Sequence, residues 1–162
     1  MLRQATESGI RSRRGLTLIE LIVAFTLMLL LTTMAVPLAR SRVRRNRERD
    51  LRVALHEMRG AIDKYKDKCD AGQLGIQKQD AQCYPENLDA LVEGVKGSGQ
   101  NADTKLKFLR RIPLDPLTNK REWGVRSMQD DPKGQGGGGQ NVFDVFTKSS
   151  EKSGDGTPYS EW

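Results

Sequence analysis

Residues 16–38 read LTLIELIVAFTLMLLLTTMAVPL, an apolar run of 23 residues with one charge, Glu20. A helix rising 1.5 Å per residue would span roughly 35 Å here. That exceeds the hydrocarbon core of a bilayer, about 30 Å thick, so the run predicts a membrane-spanning helix. A cleaved secretory signal has a shorter apolar stretch and a small-residue cleavage site. The end of this run, Met34-Ala35-Val36-Pro37-Leu38-Ala39-Arg40, has no A-x-A pattern. A plain signal anchor leaves Glu20 without a purpose. A carboxylate at membrane depth costs about 2.5 to 3.5 kcal/mol, so something must compensate it.

Arg13, Arg14 and Gly15 stand immediately before the run. A cut between Gly15 and Leu16 would remove a basic leader and leave a free amine on Leu16, four residues from Glu20. The amine of a neighbouring identical helix would then offset the carboxylate. Glu20 becomes a register device that staggers one helix against the next, the geometry of an open filament. The stretch Arg13-Arg14-Gly15-Leu16-Thr17-Leu18-Ile19-Glu20-Leu21-Ile22-Val23 resembles the type IV prepilin signature. The resemblance implies cleavage after Gly15 by a prepilin peptidase, N-methylation of Leu16, and a subunit-assembly role for Glu20. Pro37 falls where this family often kinks its long helix. Leu16 departs from the family's commoner Phe or Met. Arginine counts do not orient the helix: Arg3, Arg11, Arg13 and Arg14 precede it, and six arginines follow it, so loop-charge bias is mixed. A cytoplasmic N-terminus is what the resemblance implies.

The formal net charge is +6, and the six arginines are Arg40, Arg42, Arg44, Arg45, Arg47 and Arg49. Arginines flanking an apolar helix suit membrane headgroups or acidic patches on a neighbouring subunit. No aromatic residues are interleaved with them, so nucleic acid is not an expected partner. No G-x-x-x-x-G-K-[ST] phosphate loop occurs. One histidine, His56, and two cysteines leave little for a zinc site or a nucleophilic triad. No catalytic residue is assigned, and an enzyme is not expected.

Beyond the arginines, Leu51, Leu55, Met58, Ile62 and Tyr65 recur at helical spacing. One helix is therefore predicted from about residue 16 to 68, with an amphipathic outer half. Only a small core remains for the rest of the chain, so a staple is expected. Cys69 and Cys83 can close a short loop in an oxidising compartment, or remain two free thiols. Tyr84-Pro85 opens a predicted short helix with Pro85 in its first turn, ending near Gly94. Residues 96–105 read as a polar loop, and Pro113-Leu114-Asp115-Pro116 as a fixed turn. Residues 123–127 and 141–147 read as two antiparallel strands, the second alternating Val142, Asp144 and Phe146 against Phe143 and Val145. The Gly-rich residues 130–140 between them are expected to be mobile. The fold class is α+β: a long N-terminal helix packed on a small antiparallel-sheet head. The predicted divisions are a removed leader (1–15), a transmembrane, filament-core helix (16–39), its amphipathic continuation (40–68) and a periplasmic head (69–162).

This head, with Tyr84-Pro85, Ala90-Leu91, the Pro-x-Asp-Pro turn and a C-terminal loop, is similar to the major pseudopilin of type II secretion systems. The resemblance implies a single-pass inner-membrane protein that polymerises into a periplasmic filament for protein export. It implies as partners copies of itself, other pseudopilins, the prepilin peptidase, and an inner-membrane assembly platform with its ATPase. The alternative is a type IV pilin or minor pilin-like subunit for adhesion, motility or DNA uptake. The major pseudopilin family binds calcium in the C-terminal loop, where Glu151, Asp155 and Glu161 offer carboxylates and carbonyls near Thr147 and Ser150 offer further oxygen ligands. The competing reading is a Gly-Asp-Gly turn with Tyr159 and Trp162 packing the tail onto the head. The family's Trp-Gly-Asn after the turn is here Leu117-Thr118-Asn119.

Overall fold

The computed structural model describes residues 17–75, 81–99, 103–134, 136–137 and 141–162. Its principal element is α1, Leu18–Asp70, a single helix of 53 residues. The chain divides into two units, Met1–Val43 and Arg44–Trp162. The second unit begins well before residue 69, because the outer half of α1 supplies the spine of the head's core.

In the first unit the described helix is apolar on every side. Its best window has a mean hydropathy of 2.3, long and apolar enough to cross a membrane. Leu18, Met28, Leu31 and Leu38 are all exposed. The hydroxyls of Thr26, Thr32 and Thr33 donate to the carbonyls of Val23, Met28 and Leu30 at 2.7–2.8 Å. Each of these three hydroxyls is thus satisfied within the helix, as a hydrocarbon environment requires. The helix continues through Pro37. A proline contributes no N–H, so the carbonyl one turn earlier, on Thr33, lacks its helical donor.

In the second unit Leu51, Leu55, Met58, Ile62 and Tyr65 are at most 2% exposed. Ala54 and Ala61 fill the same face, which the wider spacing of the large side chains did not reveal. This stripe packs against Leu91, Leu109, Trp123, Val142, Val145 and Tyr159. Burying each large side chain contributes about 1.5–3 kcal/mol.

The short helix α2 is Leu88–Glu93. It starts later than the sequence suggests, because Asn87 is its N-cap: the Asn87 Oδ1 accepts the Ala90 N–H at 2.8 Å. Pro85 lies outside the first turn. It is buried, and its carbonyl accepts the Val142 N–H at 2.8 Å. Gly94 ends α2 at φ 85°, where a Cβ would lie 2.9 Å from Lys107, so the stop depends on glycine.

Two small antiparallel sheets follow. The expected polar loop at 96–105 is flanked by a hairpin: β1 (Val95–Lys96) pairs with β2 (Lys105–Leu106), with Val95 opposite Leu106. Strands this short carry no period-2 signal. The second sheet pairs β3 (Trp123–Arg126) with β4 (Asp144–Thr147), Trp123 opposite Thr147 and Arg126 opposite Asp144. The predicted alternation along β4 is not realised, since Val145, Phe146 and Thr147 are all buried. Val145 enters the core. Phe146 is covered by β3, where a Cβ on Gly124 would meet its ring at 2.2 Å. Thr147 is covered by Asp115, 2.6 Å from its hydroxyl.

Candidate functional site

The first site is the start of α1. Gly15 and Leu16 lie outside the described residues. Thr17 precedes the helix, its carbonyl accepts the first helical N–H from Leu21 at 3.1 Å, and its Oγ1 accepts the Glu20 N–H at 3.4 Å. Thr17-Leu18-Ile19-Glu20 therefore has the form of a capping box. The Thr-x-x-Glu spacing that signals it is visible in the sequence. Glu20 stands in the first helical turn, where the helix dipole favours a negative charge. The carboxylate thus has a local reason for its place in addition to any partner between subunits.

The second site is the helix face that receives the tail. Arg44, Glu48, Arg52 and Arg59 are separated by 4, 4 and 7 residues, which places them on one side of α1. Tyr159 is 1% exposed. Its hydroxyl donates to Glu48 Oε1 at 2.7 Å and accepts from Arg44 Nε at 3.3 Å. Arg44 also bonds Glu48 at 3.3 Å and donates to the carbonyl of Lys152. The Trp162 ring meets the Tyr159 ring edge-on at 4.9 Å, and the Arg52 guanidinium lies 4.2 Å from the Trp162 ring centre. Arg59 donates to both carboxylate oxygens of Asp144, at 2.7 and 3.3 Å, and to the Trp162 main-chain oxygen at 2.7 Å. Burial, and then the Glu48 hydrogen bond, push the Tyr159 hydroxyl above its ordinary pKa, against the opposing pull of Arg44.

From the sheet side, buried Arg126 donates to the carbonyls of Gly134 and Ser160 at 2.9 and 2.8 Å. It also pairs with Asp144 at 3.5 Å and stacks 4.1 Å over the Phe146 ring. Gly134 within the Gly-rich loop is therefore held by a fixed guanidinium. The rest of the expected mobile segment lies partly outside the described residues.

The Pro-x-Asp-Pro turn is rigid for a visible reason. Asp115 is fully buried; its Oδ1 accepts the Leu117 N–H at 2.9 Å and its Oδ2 accepts the Thr147 hydroxyl. Trp123 Nε1 donates to the Pro113 carbonyl at 2.9 Å. The turn is thus welded to β3 and β4. A disulfide joins Cys69 to Cys83, with Cα atoms 5.5 Å apart.

Glu151, Asp155 and Glu161 are not brought together. Among the described residues no three His, Cys, Asp or Glu side chains form a metal-binding group. The Asp155 Oδ1 instead accepts the Thr157 N–H at 3.0 Å, and this bond holds its pKa below the usual carboxylate value. Calcium takes six to eight oxygens, and these three carboxylates do not fit it. The arginine cluster also separates into two kinds. Arg44, Arg40, Arg42, Arg45, Arg47 and Arg49 are all exposed, and of these Arg44 bonds the tail.

A family model described as the prokaryotic N-terminal methylation motif matches residues 10–36. No curated protein and no solved structure matches the chain. The matched residues enclose Gly15, Leu16 and Glu20 and run through the exposed apolar part of α1. The chain thus carries the N-terminal methylation motif at the start of one long helix, with a small α+β head behind it.

Proposed function

We propose that this chain is a structural subunit, the major pseudopilin, of a type II secretion system. It is cleaved between Gly15 and Leu16, methylated on Leu16, and held in the inner membrane by the apolar part of α1. The head faces the periplasm, and copies assemble into a filament that drives protein export. The observation that carries this reading is the methylation motif running into a helix whose first half exposes large apolar side chains such as Leu18, Phe25, Met28, Leu31 and Leu38. A face this large needs lipid or other copies of itself. Glu20 pairs with the Leu16 amine of a neighbour and sets the stagger. Pro37 gives the helix a point at which it can bend or locally melt during assembly. Other pseudopilins, the prepilin peptidase, and the membrane platform with its ATPase are the partners this role requires. The subunit itself performs no bond chemistry.

The test is the intact mass and N-terminal sequence of the membrane-extracted protein. A start at Leu16 carrying one added methyl is expected. A start at Met1 would reduce the protein to a membrane anchor and remove the filament role. Deleting the gene then separates the two machines. Exported proteins retained in the periplasm are the expected result. Normal export with loss of motility or DNA uptake would instead make the chain a type IV pilin.

A further inference from the structure

The tail, residues 151–162, is bound to the head at several points: the Glu48 carboxylate takes the Tyr159 hydroxyl, and cationic side chains take main-chain oxygens. Three guanidinium groups each take one main-chain oxygen of the tail: Arg44 that of Lys152, Arg126 that of Ser160, and Arg59 that of Trp162. Three further tail carbonyls are taken by amides of the tail itself. The Glu151 carbonyl accepts the Tyr159 N–H, the Ser153 carbonyl the Gly156 N–H, and the Pro158 carbonyl the Glu161 N–H, at 3.0–3.2 Å. A metal ion closes such a loop by gathering carbonyl and carboxylate oxygens around one positive charge. Here the positive charge is already present, spread over three arginines from α1 and β3. Their planar forks suit carbonyl acceptors. Tyr159 and Trp162 add the apolar part of the contact, one ring sealed against α1 and the other under Arg52.

We infer that the face of α1 formed by Arg44, Glu48, Arg52 and Arg59, with Arg126 behind it, is a binding site for the chain's own Tyr-x-x-Trp tail, and that it closes the head without calcium. The arginines stand where a metal would otherwise supply charge. This assignment is independent of which machine the subunit serves.

The experiment uses the full chain extracted in detergent. Thermal unfolding is followed by tryptophan fluorescence in EDTA and in calcium at roughly 10 mM, above the range of weak extracellular calcium sites. The midpoint is expected to be the same in both. An ion at a hundredfold its Kd would raise it by about 5 to 10 °C, and a rise of that size overturns the proposal. Hydrogen exchange on R44Q and Y159F gives a second readout. Loss of a charge-assisted bond is expected to speed exchange at the Tyr159 and Trp162 amides roughly tenfold, with calcium failing to reverse it and R44K partly restoring it. Unchanged exchange in both variants, or recovery on adding calcium, overturns the assignment.

Discussion

Glu20 has two physical reasons to be where it is, and they can be separated at one residue. As the last position of Thr17-x-x-Glu20 it belongs to a helix cap, a role that glutamine fills equally well. As a lone carboxylate in an apolar segment it requires an opposite charge, which glutamine does not supply. Glu20→Ala and Glu20→Gln are both expected to insert in the membrane and to lower filament yield at least about tenfold, the effect of roughly 1.4 kcal/mol per subunit contact. Yield is read from sheared filaments after overexpression. Normal assembly by Glu20→Gln alone would transfer the role to the cap. Asp115 teaches the complementary lesson. Its Asp-Pro turn was legible, but its hydrogen bond to Thr147 joins residues 32 apart in sequence, and no local pattern announces it.

Among the elements, α1 was the most legible, because apolar side chains recurring at helical spacing report a helix wherever one face is buried. The two-residue strands β1 and β2 were not, since pairing over so short a length leaves no alternation to read. β4 misled for a different reason: a four-residue strand packed on both sides buries consecutive residues, whatever its period. The Cys69–Cys83 disulfide ties the end of α1 to the segment leading into α2, across a sequence separation of 14. In the chain-entropy account, closing a loop of that size contributes about 3 kcal/mol. Reduction by dithiothreitol is therefore expected to lower the melting midpoint by roughly 6 to 12 °C, read by circular dichroism. A midpoint that does not move would show that the core alone holds the head.

For the whole molecule, the tail contact makes a pH signature. The Tyr159 hydroxyl titrates above its unfolded value, chiefly through burial, so the folded state keeps that proton longer. Its contribution to stability is complete below the ordinary tyrosine pKa of about 10 and is lost as pH rises through the higher folded value. Tyr65, raised mainly by burial, acts in the same direction. Stability should fall above about pH 10, and Tyr159→Phe should make that fall shallower, measured by urea midpoints at stepped pH. An identical slope in the variant would show that the hydroxyl is not linked to folding. By itself the sequence determined the long helix, the exposed apolar run with its methylation motif, the core stripe and the two turns, because each is written in residues adjacent along the chain or at one helical period. The tertiary structure alone decided how the tail is held. Along the chain Arg44 stands in a cluster suited to headgroups or acidic patches, nothing singles out Arg59 or Arg126, and Glu151, Asp155 and Glu161 read as candidate ligands; folding sets the three guanidinium groups against main-chain oxygens more than 30 residues away. Contacts of that range depend on three-dimensional position, which spacing along the chain does not encode.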